Sequence, residues 1–138
     1  MPGMWQRYYK RWHNVTRSEI EPDLLELIPP LRRFVPPASV VDKAHYSPFT
    51  EPNLLALLNL RQADTLVITG AETDVCVLAT VLGAIDRGFR TIVVSDAICS
   101  SADAHHDALL QLYHQRFTDQ VETAEAETVL SQWERGSQ

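Results

Sequence analysis

The sequence predicts an α/β protein with a doubly wound (Rossmann-like) parallel sheet and helices on both faces. Two observations carry this. The runs TLVIT at 65–69 and TIVVS at 91–95 are short, β-branched and apolar without alternation, as strands covered on both faces are. Segments of helical length separate them, and strand–helix–strand alternation closes through right-handed crossovers between parallel neighbours. A chain of 138 residues is one domain at most and long enough to bury a real core.

Taken in order, the first 20 residues are aromatic and basic, with Trp5, Tyr8, Tyr9 and Trp12, and lack a clear period. A loop or short helical turns is the expectation there. EPDLLELIPPLRRF begins as a helix, with Pro22 suited to a first turn and Leu24, Leu27 and Ile28 on one face. Pro29 and Pro30 then break or kink it. SVVDK at 39–43, after Pro36 and Pro37, reads as a short strand. A helix at about 52–61 precedes TLVIT, and another at about 75–87 precedes TIVVS. A helix at about 101–116, the run QVETA and a last helix at about 125–134 complete the pattern. Within VCVLATVLGAI nearly every residue is apolar, so that helix is expected to be buried on most sides. Ala79, Gly83 and Ala84 place small residues along one flank and permit close approach to the sheet or a neighbouring helix.

Apolar residues make up 45% and charged residues 22%, the balance of a globular protein, and the net charge of −6 argues against nucleic acid or an anionic membrane surface as partner. No apolar run approaches the roughly 20 residues that cross a bilayer, and no secretory signal is visible. Two cysteines, Cys76 and Cys99, fit neither a disulfide framework nor a zinc ribbon. A reducing cytoplasm is the expected setting.

The chemistry centres on GAETDVCV at 70–77. In open α/β sheets ligands bind beyond the carboxyl ends of the strands, and Cys76 follows TLVIT at the first turn of the next helix. Free backbone N–H groups and the helix dipole favour a thiolate there, and the same N–H groups can receive an oxyanion. The competing reading is a buried cysteine acting as a small hydrophobe. Thr73 or Asp74 would cap the helix; two residues from Cys76 in a tight turn, Asp74 is a cap rather than a base. Lys43, ending SVVDK, reaches the same sheet edge, where a cation stabilises negative charge.

The blocks VVDKAHYSPFTEPNLLALL, TLVITGAETDVCVLATVLGAIDRGF and TIVVSDAICSSADAHHDALL together resemble the isochorismatase-like cysteine hydrolases, a superfamily that includes nicotinamidases and N-carbamoylsarcosine amidohydrolases. The correspondence runs from about Pro2 to Leu130 and makes the chain a single partial domain, with a lead-in over 1–37 and βα repeats over 38–134. The resemblance implies that Cys76 is the nucleophile and Lys43 its charged partner. It implies a non-proline cis peptide between Ala71 and Glu72, with the amides of Glu72 and Cys76 forming an oxyanion hole. It further implies hydrolysis of a small amide-like C–N bond rather than vinyl-ether cleavage, on a small-molecule substrate; no cofactor is expected for this chain.

The family's third catalytic member is an aspartate ending a first strand, and it has no counterpart here. No β-run ending in Asp precedes residue 38; Asp23 lies in a helical context, and Asp42 faces away from Lys43 if 39–43 is a strand. No metal site carries over either. The chain is therefore expected to be a shortened form lacking the first strands of the family fold. Relative to the family strand order 3-2-1-4-5-6, TLVIT becomes an apolar edge strand, which favours a homo-oligomer. A catalytically inactive remnant serving as a binding or assembly module is the alternative reading, and a Cys76–Cys99 redox sensor is a third. Cys99 is read as a buried neighbour, His105 and His106 as capping or surface residues, and His45 as a loop residue. Asp96 is expected to hold its loop through hydrogen bonds, while Trp5, Trp12 and Tyr46 are read as packing residues.

Overall fold

The computed structural model describes residues 3–133 and divides into two compact units, Met1–Val40 and Val41–Gln138. The first unit is built of short helical pieces: α1 (Met4–Arg11), 3-10 turns at His13–Val15 and Pro22–Leu25, and a single turn α2 (Pro29–Arg32). Trp5, Tyr8, Tyr9 and Trp12 form a chain of ring contacts with centroids 5.4 to 6.5 Å apart. Pro29 and Pro30 open a helix instead of breaking one: they occupy its first positions, where a missing N–H costs no bond.

The second unit carries α3 (Pro52–Leu60), β1 (Thr65–Ala71), α4 (Leu78–Ile85), β2 (Arg90–Cys99), α5 (Asp103–Arg116), β3 (Val121–Ala124) and α6 (Ala126–Ser131). The strands form a parallel sheet in the order β1-β2-β3. Aligned residues of parallel neighbours share a face, so Leu66, Ile68, Val93 and Val121 point to one side. There they pack with Val77, Val81, Ile98 and Tyr113. Val81 and Val93 are fully buried, and each such side chain contributes about 1.5–3 kcal/mol of transfer free energy. The opposite face, with Val67 and Ile92, is covered in part by α6 and leaves a cleft of about 500 Å³. Arg90 and Glu122 span β2 and β3 through two bonds of 2.6 and 2.7 Å. The Tyr113 hydroxyl is buried without a partner, and burial pushes its pKa up to about 12.

Two strand expectations are also corrected. Residues 39–43 form no strand, and Val40 is 53% exposed. A run this short holds strand geometry through ladder bonds, and β1 pairs with β2 alone among the described residues. Strand β2 runs past Ser95 to Cys99: the register passes from Ile68↔Val93 to Gly70↔Ile98, so extra residues bulge out of β2 and pairing resumes beyond them. Asp96 lies in that bulge, and its carboxylate accepts the backbone N–H of Ala126 at 2.8 Å, fixing the start of α6.

The small flank of α4 approaches neither sheet nor helix at Gly83 but the ring of Phe49, in the 3-10 turn Pro48–Thr50. A Cβ added at Gly83 would lie 2.5 Å from Phe49 Cδ2. That ring is held by the Arg87 guanidinium 4.7 Å away and by Phe89 at 6.2 Å. Alanine gains about 1 kcal/mol of helix propensity over glycine, while overpacking a held ring costs about 1–3 kcal/mol. The Gly83→Ala variant is expected to lose about 1 kcal/mol net, read as a lowered Tm; a raised Tm would show that the ring swings aside. Among the described residues no helix is long and apolar enough to cross a membrane.

Candidate active site

The site is built at the carboxyl end of β1. Gly70 has φ of +113°, a conformation that favours glycine, and it stands where the β1 register shifts, one residue before the strand ends at Ala71. The Ala71–Glu72 peptide bond is cis. A π-helical turn, Thr73–Val77, follows and runs directly into α4. In it the N–H groups of Val75 and Val77 both donate to the Glu72 carbonyl, at 3.1 and 3.0 Å. Single π turns within helices recur at functional sites. Cys76 lies in this turn, and its thiol is half-buried and outside any disulfide.

Lys43 reaches this thiol from a separate loop. Its Nζ lies 3.4 Å from Cys76 Sγ and donates to the His45 carbonyl at 3.0 Å. The loop is shaped by its own hydrogen bonds: Ala44 N–H to Glu51 Oε1 at 3.3 Å, Phe49 N–H to Ser47 Oγ at 3.3 Å, and Thr50 Oγ1 to the Ser47 carbonyl at 2.9 Å. These account for Tyr-Ser-Pro-Phe after Lys43: serine caps the turn, proline starts it, and Phe49 anchors it on α4. The loop thus holds the ammonium at the thiol without the strand that 39–43 was expected to form.

Neither Thr73 nor Asp74 caps the helix. Thr73 is fully buried, with Oγ1 3.0 Å from His106 Nδ1. The Asp74 carboxylate accepts the Ser100 hydroxyl through Oδ1 and stands 3.1 Å from His105 Nδ1 through Oδ2. Glu72 Oε2 accepts Ser101 Oγ at 3.2 Å. A carboxylate only accepts, so His105 is the donor to Asp74 through Nδ1. The Ser100 hydroxyl first, and His105 with it, hold the Asp74 carboxyl below its ordinary value of 3.8.

Cys99 is exposed rather than buried, and lies in register with Ala71. No group of three or more His, Cys, Asp or Glu side chains is placed to hold a metal ion among the described residues. The 500 Å³ cleft on the far sheet face includes neither Cys76 nor Lys43 in its lining.

A family model described as the Isochorismatase domain matches residues 2–125. The chain belongs to the isochorismatase family. It is 32% identical over 87 residues to maleamate amidohydrolase of Pseudomonas putida, an alignment covering 63% of this chain and 41% of that protein. A nicotinamidase from Bacillus subtilis superposes with a TM-score of 0.54 at 28% identity, over 60% of this chain and 44% of that one. A pyrazinamidase/nicotinamidase from Streptococcus mutans gives 0.58 at 26% identity, over 90% and 56%. The chain spans about half the length, or less, of the curated relatives it matches.

In this isochorismatase-family chain, sequence reasoning missed the contacts of Ser100, Ser101, His105 and His106 with residues 72–74. The available signal was positional: Glu-Thr-Asp and Ser-Ser follow adjacent parallel strands, so both leave the sheet side by side. Because the Asp74 carboxyl is held low in the folded protein, the stability it contributes is complete above pH 3.8 and is lost as pH falls below it. Asp74→Ala is therefore expected to flatten the acid limb of a melting-temperature profile below that pH. Superimposable acid limbs for the two proteins would overturn this.

Proposed function

We propose that this chain acts as a cysteine hydrolase on a small amide-like C–N bond, with Cys76 as nucleophile and Lys43 as its charged partner. The 3.4 Å approach of Lys43 Nζ to Cys76 Sγ, at the mouth of a turn following a parallel strand, carries the reading. The family relatives named for amide hydrolysis support it. Two opposite unit charges about 4 Å apart attract by about 1 kcal/mol in bulk water and about 4 kcal/mol near a protein surface. Lys43 is solvent-exposed, so the lower part of that range applies.

In the reaction, sulfur attacks the amide carbonyl and the carbonyl oxygen becomes an oxyanion held by the backbone N–H groups of Glu72 and Cys76. Collapse breaks the C–N bond, and the nitrogen leaves as ammonia with the thiol proton. Water then cleaves the thioester, yielding the acid and restoring the thiol. In this reading the protein works in a reducing cytoplasm, where Cys76 stays a thiol, and associates with copies of itself.

The test is ammonia release from a panel of small amides that includes nicotinamide and maleamate, whose names the relatives carry. Cys76→Ala is expected to abolish turnover, and mass spectrometry of the unsubstituted protein to find the acyl group on Cys76. Lys43→Met is expected to slow both turnover and iodoacetamide labelling of Cys76 at neutral pH by about tenfold. Hydrolysis that survives Cys76→Ala would sink the assignment.

A further inference from the structure

The turn that carries Cys76 is fastened sideways, not along its own helix. Three successive residues, Glu72, Thr73 and Asp74, each send a side chain to the segment that follows β2: to Ser101 at 3.2 Å, to His106 at 3.0 Å, and to Ser100 and His105. A turn whose polar residues served only the helix would direct them at the N–H groups of 75–77, and here no side chain caps that end. The sheet explains the geometry. The last register pair of β1 and β2 is Ala71↔Cys99, so residues 72–74 and 100–101 emerge as neighbours.

Burial adds weight to the arrangement. Thr73 is fully buried, so its hydroxyl depends on His106 for a partner. The Asp74 side chain is 19% exposed, and both of its oxygens are engaged. The exposed His105 ring, by contrast, contributes its nitrogen to Asp74 and little packing.

From this geometry we infer that Asp74 and His106 are positioning residues: with Ser100 they clamp the 72–77 turn, so that the Cys76 thiol and the amides of the turn keep one arrangement. The inference rests on the reading of Cys76 as nucleophile, to which it adds the residues that hold the nucleophile in place. It assigns the paired histidines and the Ser-Ser step after β2 a shared task. Asparagine at 74 tests the mechanism, because its amide oxygen still accepts from Ser100 and its amide nitrogen donates to His105 in the other tautomer.

Two readouts on the full chain separate the clamp from the chemistry. The first is hydrogen exchange of peptides covering 72–77, and the second is iodoacetamide labelling of Cys76 across pH. Asp74→Ala is expected to raise exchange in 72–77 by about tenfold and to displace the labelling profile. Asp74→Asn is expected to recover most of both, and Ser100→Ala to give a smaller change in the same direction. Ser100→Ala also serves where Asp74→Ala fails to fold by far-UV circular dichroism. Wild-type exchange and labelling in a folded Asp74→Ala or Ser100→Ala variant would overturn the clamp, as would Asp74→Asn matching Asp74→Ala in both. Labelling of the unsubstituted protein at the rate of an ordinary thiol would overturn the nucleophile instead, and the exchange result would still decide the clamp.

Discussion

The parallel pairing of β1 with β2 is the constraint on which the site depends. Its ladder runs from Thr65↔Arg90 to Ala71↔Cys99, and the last pair sets where each strand releases its chain. On one side emerges the turn with Cys76, and on the other the serine–histidine segment that meets it. Hydrogen bonds between strands are individually modest, but here their register decides which side chains can touch. A slip of β1 by one residue along β2 would turn the apolar set of β1 to the opposite face, moving Ile68 out of the core and separating Asp74 from Ser100.

The core on the α4 and α5 side stabilises that register. Ile68, Val93 and Val121 come from the three strands, and Val77 and Val81 come from the turn and helix that follow β1. The same burial that holds the sheet therefore holds the segment bearing the thiol. Lys43 is secured differently: its loop is anchored by Phe49, whose ring lies against Gly83 on α4. Both halves of the Lys43–Cys76 contact are thus referred to one helix, and the absence of a side chain at Gly83 sets how closely the loop can approach.

Much of this was legible in the sequence. TLVIT and TIVVS announced strands because continuous β-branched runs suit a surface covered on both sides, and the apolar helix after Cys76 announced its own burial. The position of Cys76 followed from the strand-to-helix step alone, and Lys43 drew attention by the same edge argument. What stayed hidden was set by distant parts of the chain. SVVDK has strand propensity, but a strand needs a partner, and propensity does not report one. The Ser95–Asp96 step looked like an end because the apolar run stops there, whereas β2 bulges and resumes its ladder. Asp74 fits a helix cap by residue type and place; only the neighbouring strand's register shows that Ser100 and His105 claim its carboxylate. Paired histidines suggested a surface because adjacent residues on a helix diverge, yet at the first turn of α5 both rings reach the same turn of chain.

The bulge in β2 has a consequence for how this fold tolerates change in length. Residues 94–97 absorb the offset between the two stretches of ladder, and Asp96, standing within them, sets the start of α6. Loops elsewhere accept insertions because nothing downstream is indexed to them. Here Ile98 in the core, Cys99 beside Ala71 and Ser100 on Asp74 are all counted from the same few residues. A single residue gained or lost between Val94 and Ala97 would carry its error straight to the thiol-bearing turn. Across natural variation of this fold, those positions should admit substitution far more readily than insertion or deletion.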